Sequence, residues 1–227
     1  VLAPNIHNIA IEGSFDDAQA MVKAMFADQD FAGRFTLSAV NSINWARLAA
    51  QIVYYFYAAV RLGAPQRPVA FSVPTGNFGD VFAGYVAAKM GLPVAKLIVA
   101  TNVNDILHRA LSEGDYSVGS VTPTAAPSMD IQVSSNFERL LFEAHGHDAG
   151  AIRRLMASLG QSGAFTIEPG PLSTIRAEFA SGRADIAETA KVIAAETVSR
   201  SDADGYTILL ISGGNAVSSS LFSKLSY

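Results

Sequence analysis

Cysteine is absent from the 227 residues. That excludes disulfides and thiolate metal sites and leaves the redox compartment undecided. Charge is sparse: Asp, Glu, Lys and Arg make up 16% of the chain, against 50% hydrophobic residues. Such a balance suits a compact globular chain and argues against disorder. The net charge is −4, with lysine and arginine scattered, so there is no footprint for nucleic acid or an anionic membrane surface. No apolar run approaches the roughly 20 residues of a membrane span. The opening Val1-Leu2-Ala3-Pro4-Asn5 has neither an initiating methionine nor a signal-peptide layout. A chain that begins mid-protein is expected. Its length allows one large domain or two small ones, with a sizeable core.

What is present centres on Ser72-Val73-Pro74-Thr75-Gly76-Asn77-Phe78-Gly79-Asp80. An apolar run over residues 69–73 leads into this stretch, and a helical pattern over residues 81–90 leaves it. A strand that turns into a helix leaves several backbone N–H groups unpaired and aimed one way. With the positive end of the helix dipole they suit a phosphate or another dianion. Gly76 and Gly79 are expected to permit close approach and positive φ. No Lys-Ser/Thr pair follows, and the three-glycine Rossmann spacing is missing. Many turns of this composition bind nothing, so the local chemistry leaves both readings standing.

Residues 7–12 alternate like a strand, and Ser14 or Asp16 is placed to cap a helix carrying Ala18, Met21, Val22, Met25 and Phe26. The strongest helix spans residues 44–62, with Trp45, Leu48, Ala49, Ile52, Val53, Phe56 and Val60 as its apolar face and Gly63 and Pro65 as its stop. At its start stand Asn41, Ser42, Asn44 and Arg47. The plainer reading makes Asn41 or Ser42 a cap; the sharper one makes the group a second oxyanion site. A buried strand is expected over residues 96–101, and Asn104 or Asp105 opens a helix through residue 111. Alternating strand and helix imply a mainly parallel sheet flanked by helices, with ligand at the carboxyl ends of the strands.

Residues 114–128 read as an extended connection or mobile loop. Helices are expected over 136–144, 151–159, 173–180 and 184–200, with a short helix over 218–225. Strands are expected over 164–167 (short, at a sheet edge) and 206–211. His145 and His147 alone make a poor metal site. No linker or internal repeat is evident.

Taken together, Ile11-Glu12-Gly13-Ser14-Phe15-Asp16-Asp17, Asn41-Ser42-Ile43-Asn44-Trp45-Ala46-Arg47, Val73-Pro74-Thr75-Gly76-Asn77-Phe78-Gly79-Asp80, Ala100-Thr101-Asn102-Val103-Asn104-Asp105, Ala126-Pro127-Ser128-Met129-Asp130-Ile131 and Ser135-Asn136-Phe137-Glu138-Arg139 resemble the threonine synthase family. These blocks keep the family's order across residues 1–191. The resemblance implies an α/β fold of the fold-type II pyridoxal 5′-phosphate (PLP) enzymes. It implies a cytoplasmic enzyme that turns O-phosphohomoserine and water into threonine and phosphate. It further implies that Thr75, Gly76, Asn77, Phe78 and Gly79 hold the cofactor phosphate. Asn41, Ser42 and Arg47 would then grip the substrate phosphate.

The family's Schiff-base lysine belongs to a Phe-Lys-Asp context that Lys23, Lys89, Lys96, Lys191 and Lys224 all lack. By this comparison it lies upstream of Val1, Lys89 and Lys96 are surface residues, and no catalytic residue is assigned here. The expectation is a segment that is inactive alone, with the missing N-terminal part of the parent enzyme as a partner. Residues 192–227 depart from the family: Ala194-Ala195-Glu196, Asp204-Gly205-Tyr206-Thr207-Ile208-Leu209-Leu210, Gly214-Asn215-Ala216 and Leu221-Phe222-Ser223-Lys224-Leu225-Ser226-Tyr227 resemble part of a tripartite-tricarboxylate periplasmic solute-binding protein. They are expected as a divergent tail that adds a strand at the sheet edge. The competing reading is a non-catalytic binding or scaffold module.

Overall fold

The computed structural model describes residues 4–7, 9–13, 15–38, 42–124, 126–185 and 207–209. The chain divides into two units, Val1–Ala39 and Val40–Tyr227. In the first, helix α1 (Phe15–Ala27) forms where its apolar spacing predicts it, and α2 (Gln29–Arg34) follows. Asp28 caps α2 by accepting from the Phe31 N–H at 3.0 Å. Asp16 falls inside the first turn of α1 rather than before it, and Ser14 lies outside the described residues. The strand expected over residues 7–12 is not formed by the described ones. Ile9 is 85% exposed, and alternation without a neighbouring ladder has nothing to pair with.

The second unit begins with α3 (Trp45–Arg61), whose N-cap is Asn44: its Oδ1 accepts from the Ala46 N–H at 2.9 Å. Ser42 is therefore not the cap. The buried face also differs from the expected one. It runs through Leu48, Tyr55 and Ala59, with Ile52 and Phe56 packed beside them, whereas Trp45, Val53, Tyr54, Tyr57 and Val60 are exposed. Because α3 is apolar on more than one side, hydrophobic spacing could not choose its inner face. The tight approach to the next helix chose it.

Strand β1 (Val69–Pro74), helix α4 (Gly79–Lys89) and strand β2 (Val94–Thr101) form a parallel crossover unit, with Phe71 opposite Leu97 and Val73 opposite Val99. β1 is apolar except for Ser72 and is buried from Val69 to Val73, as suits a central parallel strand. After α5 (Ile106–Glu113) come β3 (Asp115–Ser117), a 3-10 turn (Pro127–Met129), α6 (Phe137–Ala144) and α7 (Ala149–Ser162). β4 (Ala164–Thr166) then pairs antiparallel with β3 in a separate two-stranded sheet, not at the edge of the main one.

Helix α8 (Pro169–Glu178) ends earlier than its sequence suggests. Phe179 begins strand β5 (Phe179–Arg183), which lies parallel to β2. The helical spacing extends only through Ala180, and the open edge of β2 takes up Phe179 and Ala180 as strand. β6 (Thr207–Leu209), inside the expected strand 206–211, pairs parallel with β1, giving the order β5-β2-β1-β6. The helices expected at 218–225 and over most of 184–200 lie outside the described residues. No helix among the described residues is long and apolar enough to cross a membrane.

A file of stacked rings ties the small sheet to the main one. Phe165 stacks on Tyr116 at 4.6 Å, Tyr116 on Phe137 at 5.4 Å, and Phe137 meets Phe78 edge-on at 5.3 Å. It ends at the turn between β1 and α4.

Candidate functional site

That turn occupies the carboxyl end of β1, the side of a parallel sheet where ligands collect. Thr75 is still part of the sheet. Its N–H donates to the Ala100 carbonyl at 2.8 Å, and its hydroxyl donates to the Val73 carbonyl at 2.6 Å. Thr75 thus departs from the expected cradle, because both its donors are engaged. Beyond it, no acceptor among the described residues meets the N–H of Gly76, Asn77, Phe78 or Gly79.

Their direction follows from the carbonyls. The Gly76 carbonyl accepts from Ser134 Oγ at 3.0 Å. The Asn77 carbonyl accepts from the Asn136 N–H at 3.1 Å and from Asn136 Nδ2 at 3.0 Å. In a planar trans peptide the following N–H points opposite its C=O. The N–H groups of Asn77 and Phe78 therefore face away from residues 134–136. The Asn77 side chain is fixed as well, its Oδ1 accepting from Ser135 Oγ at 3.2 Å. The turn is held by its carbonyls rather than by its amides.

The glycines act otherwise than expected. Neither has positive φ; the left-handed residue is Phe78, at φ 63°. That conformation costs a non-glycine residue roughly 1–2 kcal/mol. Burying the Phe78 ring against Phe137 and Phe179 contributes about 1.5–3 kcal/mol and offsets it. Gly76 is required by packing, since a Cβ there would lie 2.3 Å from the Ser128 carbonyl oxygen. At Gly79 a Cβ would meet Ser42 Cβ at 3.4 Å and Gln51 Oε1 at 3.8 Å. Ser42 and α3 thus stand beside the start of α4. The Ser42 hydroxyl is buried and has no partner among the described residues. A phosphate oxygen fits such a group.

Arg47 lies exposed in the first turn of α3, and Asn41 is outside the described residues. Ser135, Asn136 and Arg139 stand in one of the sequence blocks without a role, and Ser134 stands in none. Their contacts reach 58 residues or more back along the chain, and no local pattern signals that.

Asp80, in the first turn of α4, is pinned by Tyr55, whose hydroxyl donates to the Asp80 carbonyl at 2.9 Å and to its Oδ1 at 3.3 Å. Burial pushes the Asp80 carboxyl up, and the Tyr55 hydrogen bond opposes this only in part. The folded chain then keeps the proton to higher pH than the unfolded chain does. As pH rises through that interval, the folded state binds more protons, so stability falls. Asp80→Asn is uncharged, nearly isosteric and still accepts from Tyr55. It is expected to be more stable than the parent above the interval and to lose that advantage below the ordinary carboxyl range. Urea unfolding over a pH series reads the difference, and parallel curves for the two proteins would defeat the assignment.

The described lysines of this unit stand elsewhere. Lys89, at the far end of α4, pairs with Glu178 at 2.7 Å. Lys96, near the start of β2, donates to the Arg176 and Ala177 carbonyls. Both are surface groups at the opposite end of their elements from the turn. His145 and His147 bond to the Leu141 carbonyl and the Glu143 carboxylate.

A helix-end amide cradle beside an orphaned hydroxyl suits a phosphate ester, and comparison with known proteins gives that ester a family. The family described as "Pyridoxal-phosphate dependent enzyme" matches residues 3–170. The chain belongs to this family. It is 63% identical to a threonine synthase from Pseudomonas aeruginosa over 168 residues, 74% of this chain and 36% of the relative. To a threonine synthase from Methylobacillus glycogenes it is 44% identical over 219 residues, 91% of this chain and 46% of the relative.

Among solved structures, a PLP-bound threonine synthase from Brucella melitensis superposes with a TM-score of 0.77 at 57% identity, covering 95% of this chain and 45% of that one. Yeast threonine synthase gives 0.76 at 34% identity, covering 94% and 50%. The resemblance to threonine synthases is borne out, and so is the α/β fold with its parallel sheet. The chain spans less than half the length of these curated relatives.

Proposed function

We propose that this chain is the phosphate-gripping segment of a threonine synthase. The N–H groups of residues 76–79 hold the phosphate of PLP, and Ser42 and Arg47, with Asn41, hold the phosphate of O-phosphohomoserine. The observation that supports this reading is the set of amides at the start of α4 that meet no acceptor among the described residues, those of Asn77 and Phe78 aimed by carbonyls anchored on residues 134–136. Bound there, pyridoxal phosphate supplies an electron sink for proton removal next to the amino group and for loss of phosphate. The chain itself supplies grip and alignment. The cradle fixes one end of the cofactor without reorganising, because its donors are already oriented. Beside it, the buried Ser42 hydroxyl offers a hydrogen bond to the leaving phosphate. A guanidinium at Arg47 supplies charge as that group departs.

With Lys89 and Lys96 engaged at the far ends of their elements, cofactor binding by residues 40–185 is non-covalent. The proposal therefore assigns the Schiff-base lysine to the remainder of the parent enzyme, and makes the isolated chain inactive. A cytoplasmic location and the division into 1–191 and a tail of 192–227 belong to the same proposal.

Titration with pyridoxal phosphate followed by borohydride reduction and peptide mapping tests it. Reversible binding that inorganic phosphate displaces, with no stoichiometric lysine adduct, is expected. A stoichiometric adduct at one lysine overturns the non-covalent assignment. Absence of phosphate-competitive binding overturns the site and leaves the non-catalytic module.

A further inference from the structure

We infer that Asn136 and Arg139 are positioning residues that lock the two candidate phosphate segments, 42–47 and 76–79, into one register. The inference rests on the proposed reading of those segments as phosphate sites. Asn136 is fully buried. Its Nδ2 donates to the Asn77 carbonyl at 3.0 Å and to the Ser42 carbonyl at 3.0 Å, so one amide group spans both segments. Both its protons are used. Its Oδ1 accepts from Arg139 Nε at 3.0 Å. A flipped amide would set that oxygen against two carbonyl oxygens, so Arg139 fixes the orientation.

The other arm of the guanidinium donates to the Ile43 carbonyl at 3.1 Å, and the group lies 5.7 Å over the Trp45 ring. Arg139 therefore orients Asn136 and holds residue 43 with one rigid fork. A lysine, as a single point donor, cannot reproduce that. Each carbonyl so held sets the direction of the next N–H. Asn77 sets Phe78, Ser42 sets Ile43, and Ile43 sets Asn44. Neither side chain needs to touch a ligand to determine where both phosphate sites aim.

Residue-resolved NMR titration of the whole chain with inorganic phosphate tests this, using the parent, Asn136→Asp and Arg139→Lys at matched pH. In the parent, phosphate should move the amide signals of residues 76–79 and 42–47. At pH 7.5, Asn136→Asp places a carboxylate against two carbonyls and should weaken phosphate at both segments by about tenfold, the loss expected when buried acceptors lose their donor. Near about pH 5 the protonated carboxyl donates again, and the gap to the parent should narrow. Arg139→Lys should weaken both segments without that recovery. A purely architectural role for Asn136 would not restore affinity on acidification.

Weakening confined to one segment, or a pH-independent loss in Asn136→Asp, overturns the inference. If phosphate moves no parent signal, the phosphate reading falls and the unliganded spectra still decide this one. Asn136→Asp must then displace the signals of residues 42–44 and 77–78 together, and displacement of one set alone refutes the lock. Should Asn136→Asp fail to fold, the same comparison is read from Arg139→Lys.

Discussion

Replacing Gly76 with alanine is expected to destabilise the chain by roughly 3 kcal/mol, at the upper end of overpacking penalties, and to abolish phosphate binding at residues 76–79. The added Cβ would sit 2.3 Å from the Ser128 carbonyl oxygen. Because the obstacle is backbone, no rotamer change relieves it. Either residues 126–130 move or the turn does, and the turn is fastened through its Gly76 and Asn77 carbonyls to Ser134 and Asn136. A fall in melting temperature of about 10 °C corresponds to that energy for a chain of this size.

Gly79→Ala is the control for melting alone. Its Cβ meets Ser42 Cβ, Asn136 Nδ2 and Gln51 Oε1 at ordinary contact distances of 3.4, 3.5 and 3.8 Å, and alanine favours the helix by up to about 1 kcal/mol. Differential scanning calorimetry with a phosphate titration reads both variants. Parent-like melting and affinity in Gly76→Ala would show that residues 126–130 yield freely, and the packing account of this glycine would be wrong.

The second large effect is expected at Asp130, which fastens residues 118–131 across the carboxyl end of β2. Its Oδ1 accepts from Asn102 Nδ2 at 2.7 Å, from Asn104 Nδ2 at 3.0 Å and from Thr124 Oγ1 at 2.7 Å, while Oδ2 accepts from the Thr124 N–H at 2.7 Å. Asn104 continues the fastening by donating to the Thr122 carbonyl at 2.9 Å and accepting from its N–H at 2.8 Å.

Asp130→Ala removes a shared charged acceptor and strands polar groups on Asn102 and Asn104, which are buried. Hydrogen bonds to charged groups contribute about 1.5–3 kcal/mol each and do not sum freely, so a loss of about 3 kcal/mol is expected. Most of it should appear as local opening. Amide exchange of residues 118–126 should quicken by about 100-fold, the rate equivalent of nearly 3 kcal/mol. Since Ser128 rests on Gly76, phosphate affinity should fall in parallel. Unchanged exchange in this segment would mean that the fastening contributes nothing.

That segment shows where sequence reasoning stops. Its Gly, Ser, Thr and Pro content reads as a mobile connection, yet a single carboxylate supplies acceptors to donors up to 28 residues away. Composition reports what a segment cannot bury, not who will hold it. The strand at Phe179–Arg183 fails for a related reason: helical spacing carries on through Ala180, no strand pattern follows it, and only the open ladder of β2 makes it a strand. On α3 the period of 3.6 was legible but its phase was not. Tyr55 turned inward because Gly84, one helix away, leaves room for its ring: a Cβ at Gly84 would be 2.5 Å from Tyr55 Cε1.

The sequence by itself determined the alternation of strand and helix, the parallel sheet and the strand-turn-helix over residues 69–89. These follow from local periodicity. Its ordered blocks also placed it with the threonine synthases. The tertiary structure alone decided which donors are free and which are engaged. It closed Thr75, gave the left-handed position to Phe78, made Gly76 a packing requirement, and set Asn136 and Arg139 between the two segments. Each of these depends on a partner tens of residues away, and such partners meet only when the sheet, the rings and the loops have closed on one another.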